Sequence, residues 1–479
     1  MLSKKNIADI DAAARRILAE TGIRIQDEVL VDRLKSDNAV SHEENDRQLV
    51  ELAWLDEQLK AAPSRFTLFG RKKAFDLHLG SGHTYFGNGG RVFQILDLPT
   101  GGVRPTLLRD VASTAALVEA LDHIRFYVVA CQAADLEPEH YHLNDFYQAF
   151  LHTAKHVMGG VDSIKGAQQM YDLAVCIAGG EDQFRKKPFT SVIANPISPL
   201  TLDPETSKIL EFCATHGIPL TCAPAPISGA TAPASLAGTL AQLHAEALMG
   251  VALVQFFAKG APVMYGAVAS TMDLRRMDLA MGSVEAAMIN TGAVALAHHY
   301  GLPIYATAGL TDAKLPDVQS GFEKGVSNLL LGMAGADYVH LAAGMIDSGN
   351  SISYEQYIID NEILGMIERI LKGISVTPET LGLSSIHEVG PGGNYIMEDH
   401  TIAHMFKEFF YPDLAIRGQY DRWTDLGKPT PLTRARSIVN NILDTHTVHL
   451  PPKMVLRMRQ VFPDIIDIEP RKKLDIAAS

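Results

Sequence analysis

A chain of 479 residues, 47% hydrophobic and 20% charged, has the composition of an ordinary globular protein and is long enough for a barrel of roughly 250 residues with extensions. Its 42 basic and 55 acidic side chains leave a net charge of −13, which argues against nonspecific binding to nucleic acid or to an anionic membrane surface. The longest apolar stretch, 247–258, is broken by Gln255 and is too short to span a bilayer, so a buried helix is expected there.

The first residues, Met-Leu-Ser-Lys-Lys-Asn-Ile, lack the apolar core of a signal peptide. The four cysteines, Cys131, Cys176, Cys213 and Cys222, form no Cys-x-x-Cys pair. They read as reduced core thiols, and a cytoplasmic location is expected.

In chain order, residues 1–62 read as mostly helical. Apolar residues recur every three or four positions from Ile7 to Leu18. A polar loop is expected at 41–48 and a second helix at 49–61. The segments 66–71 and 73–79 alternate like a hairpin. Residues 1–80 are thus an N-terminal helical and hairpin extension, either a lid or a packing element.

From 84 to 374 one unit recurs, a short apolar run followed by a longer helical stretch. The runs lie at 84–87, 126–133, 156–162, 189–196, 219–226, 262–269, 304–309 and 337–346. The helices are expected at 109–123, 141–154, 163–178, 203–216, 235–259, 283–300, 320–334 and 354–372. Strands alternating with helices imply parallel strands with crossover helices. Eight such units imply an α/β fold of the (β/α)8 TIM-barrel type over 81–375, with chemistry in the loops after the strands. Asp203-Pro204-Glu205 suits a helix start, and Gly217, Gly301 and Gly373 stand just past helix ends. After 377 the pattern changes to a Gly-rich loop at 389–395, helices at 400–410 and 433–447, and a polar tail from 451 ending Arg471-Lys-Lys. Residues 376–479 are expected to pack on the barrel as a C-terminal extension.

Four loops carry candidate chemistry. The segment Thr84-Tyr-Phe-Gly-Asn-Gly-Gly-Arg-Val-Phe offers Phe86, Asn88 and Phe93 to the barrel mouth, or is a tight turn with core aromatics. Its glycine spacing is not that of a dinucleotide fingerprint. The loop after the seventh strand crowds Thr311, Asp312, Lys314, Asp317 and Gln319, a substrate rim or a solvated loop. After the eighth strand, Asp347 could face a cation and Tyr354 or Tyr357 supply an aromatic face; turn and packing roles serve equally well. Gly390-Pro-Gly-Gly-Asn-Tyr lacks the Lys-Ser or Lys-Thr of a phosphate loop. The 18 histidines, with His140/His142 and His446/His449 the close pairs, complete no metal-ligand pattern, so no metal is assigned. Small buried thiols explain Cys131 and Cys222 better than nucleophiles do.

In order and spacing, Phe86-Gly-Asn-Gly-Gly, Thr311-Asp-Ala-Lys-Leu-Pro-Asp-Val-Gln, Tyr354-Glu-Gln and Glu388-Val-Gly-Pro-Gly-Gly-Asn resemble the trimethylamine methyltransferase family of corrinoid-dependent enzymes. The resemblance implies a barrel that passes a methyl group to cobalt in a separate corrinoid (cobalamin-type) protein, with no cofactor held tightly by this chain. Archaeal trimethylamine enzymes of the family carry pyrrolysine, and this sequence has none. The neighbourhood of Lys314 is the best match for its place. Members without it resemble demethylases of quaternary amines such as glycine betaine, proline betaine, carnitine or γ-butyrobetaine. A quaternary nitrogen leaves as a neutral tertiary amine and needs no proton, so such a substrate dispenses with an activating side chain.

The resemblance further implies a pocket that holds a trimethylammonium group against aromatic faces, at roughly 0.5–2 kcal/mol per contact. Phe86, Phe93, Tyr354 and Tyr395 are the cage candidates. Asp347 and Glu355 are candidate carboxylates, and Lys314 completes the catalytic set. Donors for a substrate carboxylate would come from Asn88, Gln132, Asn195, Lys314 or His340, with His340 placed last because it lies mid-strand. A cavity at the carboxyl rim is expected, wide enough at its opening to admit a tetrapyrrole, with the cationic methyl carrier held at its base. The partners expected are a cognate corrinoid protein, a small quaternary amine and further copies of the chain in a homo-oligomer. Glycine betaine is the expected substrate. The rivals are a barrel hydrolase or lyase using metal or a Schiff base on Lys314, and a betaine-binding barrel without turnover.

Overall fold

The computed structural model describes residues 2–97 and 100–472; Lys473 of the basic tail lies outside the described residues. Eight strands alternate with eight helices. They are β1 Tyr85–Asn88, α1 Leu108–Ala120, β2 Tyr127–Val128, α2 Tyr141–His152, β3 Val157–Gly160, α3 Ile164–Ala178, β4 Thr190–Ala194 and α4 Pro204–His216. The second half is β5 Leu220–Cys222, α5 Leu236–Phe257, β6 Val263–Ala267, α6 Val284–His299, β7 Ile304–Thr307, α7 Val318–Ala334, β8 Tyr338–Ala343 and α8 Tyr354–Leu371. Each strand pairs in parallel with the next from β2 to β8, and β8 pairs with β1. Bridges at Gly87–Phe126 and Val92–Cys131 bring β1 against β2 and nearly close the ring. The protein is a (β/α)8 barrel.

The strands are short and apolar because both faces of the sheet are covered. Thr190 to Ala194 are all buried, for example. Alternate residues face inward: Phe126, Val128, Met158, Ile193, Met264, Tyr305 and Tyr338 form one interior cluster. The hairpin Phe66–Leu68 and Leu77–Leu79 closes the amino-terminal end by adding Leu68, Leu77 and Leu79 to that cluster. Its backbone is held by groups that precede strands. Gly80 N–H donates to Asp337 Oδ1 at 2.6 Å, and Phe69 N–H to the Pro188 carbonyl at 3.3 Å. Above it, Phe126 stacks on Tyr338 at 3.6 Å between ring centroids, and Tyr338 on Tyr305 at 5.6 Å. Among the described residues the open end is therefore the carboxyl rim.

α5 is apolar all round, and it is the one described helix long and apolar enough to cross a membrane. It is instead buried, because the helices Lys4–Arg16 and Leu52–Ala61 pack over it. Asp11 of the first lies 3.1 Å from His244 Nε2 of α5. The N-terminal segment thus covers the side and the floor of the barrel. The C-terminal helix Pro431–Thr445 lies against α8 and α1. Beyond it, Asn144 and Gln148 of α2 bond the backbone of Asp464 and Ile466.

One local expectation fails. Residues 41–48 are not a loop but an antiparallel hairpin, Val40–Glu44 with Arg47–Val50. Asn45 and Asp46 turn it at φ 51° and 61°, a left-handed pair that short polar side chains tolerate. The tail after 451 folds into the helix Pro452–Val461, which buries Met458.

Candidate active site at the carboxyl rim

A cleft of about 390 Å³ opens where β1 to β4 and β8 end. Its entrance is built from the loop after β1. Gly90 lies so close to β2 that a Cβ there would come within 2.5 Å of Val128 Cγ1 and 2.9 Å of the Val129 carbonyl. The tight path turns Arg91 into the left-handed region at φ 61°. Its guanidinium meets Asp162, the second residue after β3, at 2.5 Å. His142 Nε2 of α2 meets the other oxygen of the same carboxylate at 2.6 Å. Burial opposes ionisation of Asp162, but the bonds from His142 and Arg91 outweigh it and hold the pKa down at about 2.

The adjoining wall begins α4, whose Glu205 accepts from the Ile164 N–H at 3.4 Å, two residues beyond Asp162. Asp203 caps that helix, accepting from the backbone N–H groups of Glu205 and Thr206 at 3.0 and 2.9 Å. Asp162, Asp203 and Glu205 therefore bring three carboxylates to one side of the cleft, with Arg91 the cation among its lining residues. The apolar walls are Val128, Ile193 and Ile209, and the deep wall is His340 of β8. His340 Nδ1 is hydrogen-bonded to the hydroxyl of Tyr305. Burial pushes the imidazole pKa down to about 3, so the ring is neutral.

The structure brings together only some of the candidate residues. Asn195 lines the cleft. Lys314 and Asp347 meet on the rim at 2.5 Å, so each neutralises the other. Lys314 is 68% exposed, unlike the desolvated amine a Schiff base favours. Phe93 is 63% exposed on the rim loop after β1. Gln132 is half-buried with its backbone N–H on the Val92 carbonyl.

The others serve packing. Phe86 faces outward, where a Cβ on Gly332 of α7 would stand 3.3 Å from its ring, so it cannot form a wall of the mouth. Asn88 is fully buried, with its amide spent on the backbone of Val128. Tyr354 is buried with its hydroxyl on Asp110 at 2.6 Å. Glu355 is buried between Ser353 and Arg436, tying the C-terminal helix to α8. Tyr395 belongs to the C-terminal extension and is not among the cleft residues. An aromatic cage from these four rings is thus not assembled; the aromatic group in the cleft wall is His340.

Sequence reading missed Arg91, His142 and Asp162. Asp162 could have been found as the charged residue that ends the third apolar run. His142 could not, because it is adjacent to Asp162 only through the packing of α2 on β3. Below the rim, Asp312 accepts from Met281 and Gly282 N–H and from Ser348 Oγ, and Glu323 holds Asp312 N–H. This lattice joins the loops after β6, β7 and β8. Burial pushes the Cys222 thiol up to about 12 and raises the Cys131 thiol well above its ordinary value. Neither is a poised nucleophile. Among the described residues no three His, Cys, Asp or Glu side chains are placed to hold a metal ion.

The model of the trimethylamine methyltransferase family matches residues 1–466. The chain is 32% identical to trimethylamine methyltransferase MttB of Desulfitobacterium hafniense strain DSM 10664 / DCB-2, over 97% of this chain and 94% of that protein. It is 30% identical to the glycine betaine methyltransferase of Desulfitobacterium hafniense strain Y51, over 88% of each. Among solved structures, the monomethylamine methyltransferase MtmB of Methanosarcina barkeri superposes with a TM-score of 0.56 at 12% identity. That match covers 92% of this chain and 88% of the other, and it supports the barrel fold alone. Matched over residues 1–466, the chain belongs to the trimethylamine methyltransferase family.

Proposed function

We propose that this methyltransferase demethylates a quaternary amine, glycine betaine foremost, and delivers the methyl group to the Co(I) centre of a separate corrinoid protein. The observation that carries the proposal is the cleft at the carboxyl rim of a family barrel, with Asp162, Asp203 and Glu205 on one side. A permanent cation suits that side. The relative that is a glycine betaine methyltransferase makes the same substrate class plausible chemistry for this fold.

In the transfer the C–N bond breaks and its electron pair stays on nitrogen, giving a neutral tertiary amine. The corrinoid, when docked, supplies the electron pair that takes the methyl group. This chain binds and orients the amine and excludes water from the mouth. Because the substrate loses its charge as the bond breaks, a bare carboxylate would hold the ground state too tightly. Arg91 and His142 temper Asp162 by engaging both of its oxygens. No residue needs to protonate the leaving amine.

The test is methylation of the cognate corrinoid protein, read from the loss of Co(I) absorbance. Glycine betaine, proline betaine, carnitine, γ-butyrobetaine and trimethylamine would each be supplied in turn. Turnover with a betaine and not with trimethylamine supports the proposal. A folded enzyme inactive with all the quaternary amines overturns it.

A further inference from the structure

At the deep wall of the cleft His340, and beside it Thr307, which is not itself among the cleft's lining residues, carry side-chain polar atoms with no hydrogen-bond partner among the described residues. His340 Nε2 and Thr307 Oγ1 are both sealed from solvent. The two residues are register partners on β8 and β7. Their side chains therefore leave the same face of the sheet, on the same interior side as Tyr305 and Tyr338. Orphaned polar atoms in a buried site cost stability, and at a ligand cleft they mark where a ligand's polar group completes the bonding.

The proton on His340 can be placed. Tyr305 is fully buried, and burial keeps its phenol protonated. Its hydroxyl has one partner among the described residues, His340 Nδ1. A phenol in that position donates, so Nδ1 accepts. The ring is neutral, and its proton therefore sits on Nε2. Tyr305 thus converts His340 into a fixed N–H donor, with the Thr307 hydroxyl beside it as a second.

We infer that His340 Nε2–H and Thr307 Oγ–H receive the carboxylate of a betaine, so that the substrate enters carboxylate first and its trimethylammonium group stays at the mouth. This assignment rests on the proposed function and names the part of the substrate that the site reads. The donors lie within strands β7 and β8, whereas Asp162 follows β3 and Asp203 and Glu205 open α4 beyond β4. The cleft is thus polarised, with donors inside and carboxylates outside, which matches a zwitterion in one direction only. That direction leaves the methyl groups toward the open end, where an acceptor too large to enter would meet them. It reverses the expectation of a cation at the base, and it raises His340 from the last of the carboxylate donors to the first.

The experiment is calorimetric titration of the full-length protein with glycine betaine, choline and tetramethylammonium. Wild-type protein should bind glycine betaine about tenfold or more tighter than either cation that lacks the carboxylate, since a site built to bond a group rejects analogues without it. H340A should lose about tenfold in glycine betaine affinity while tetramethylammonium binding stays within about twofold, and H340Q, which keeps a side-chain N–H, should recover part of the loss. Y305F, which frees the tautomer, should weaken glycine betaine selectively by a smaller factor. Equal binding of choline and glycine betaine by wild type, or an equal loss of all three ligands in H340A, overturns the inference. If H340A does not fold, T307V and the wild-type ligand series decide alone. Corrinoid methylation separates the two claims. Methyl transfer from tetramethylammonium as fast as from glycine betaine leaves the function standing and removes the carboxylate site. Carboxylate-dependent binding with no methyl transfer from any quaternary amine does the reverse.

Discussion

Asn88 brackets the backbone of Val128. Its Oδ1 accepts the Val128 N–H at 2.8 Å, and its Nδ2 donates to the Val128 carbonyl at 2.7 Å. The relationship matters because β1 and β2 share only isolated bridges where the barrel closes. A side-chain amide fills the gap in the backbone ladder between the bond from Arg125 N–H to the Phe86 carbonyl and that from Arg91 N–H to the Val129 carbonyl. Asn88→Asp would turn the donor into an acceptor against a buried carbonyl. The expected cost is about 2–4 kcal/mol, read as a lower urea midpoint. A change below about 0.5 kcal/mol would show that the seam is held elsewhere.

Gly90 shapes the cleft through the same seam. An added Cβ meets both a side chain and a backbone carbonyl of β2, so the loop must shift outward and take Arg91 from Asp162. Gly90→Ala should lower stability by about 1–3 kcal/mol. It should also raise KM for the amine more than it lowers kcat. Unchanged KM in a folded variant would remove Arg91 and Asp162 from the substrate site.

Beneath the rim, Lys324 of α7 and Asp360 of α8 form an ion pair of 3.0 Å with both side chains buried. Lys324 Nζ also donates to the Gly309 carbonyl at 2.6 Å, and Asp360 accepts from Gly344 N–H at 2.8 Å. The pair therefore anchors the first residues of the loops after β7 and β8. Removing one partner strands a buried charge, and Lys324→Met should cost about 3–5 kcal/mol in chemical denaturation. Lys324→Met combined with Asp360→Leu should cost less than the single change. A double variant worse than the sum of both singles would contradict this account.

Two interior histidines make the protein acid-sensitive. Burial lowers the pKa of His340 to about 3 and that of His156 to about 4, from an ordinary 6.5. Above pH 6.5 folded and unfolded rings are both neutral and stability is at its full value. Below it the unfolded ring takes a proton that the folded ring refuses, so stability falls until the pH passes the folded pKa. The loss approaches about 1.4 kcal/mol per pH unit for each ring in that window. Urea midpoints from pH 7 to pH 4 should therefore decline, and less steeply in His156→Gln. An identical decline in that variant would place the acid sensitivity in other groups.

Much of the fold was legible because local physics wrote it. The eight apolar runs and helices appear where periodicity places them, with Asp203 and Gly217 at the ends of α4. The hairpin at 40–50 was not legible, since its first strand is mostly exposed and its turn depends on two left-handed polar residues. The site was legible only in part. The rim loops are where the strand ends put them, and Asn195 reaches the cleft. Lys314 and Asp347 meet each other there instead of forming its wall.

The linear chain determined that there would be a barrel, because eight repeats of strand and helix that are apolar on their covered faces have few other ways to hide those faces from water. Closure of the ring decided which alternate residue of each strand points inward. Successive side chains on a strand leave opposite faces, so one step of register separates a wall from a core contact. By that step Phe86 was sent into the helix layer and His340 into the lumen, and by the packing of α2 on β3 His142 reached Asp162. Such pairings join residues distant in sequence, and they exist only once the chain has closed on itself.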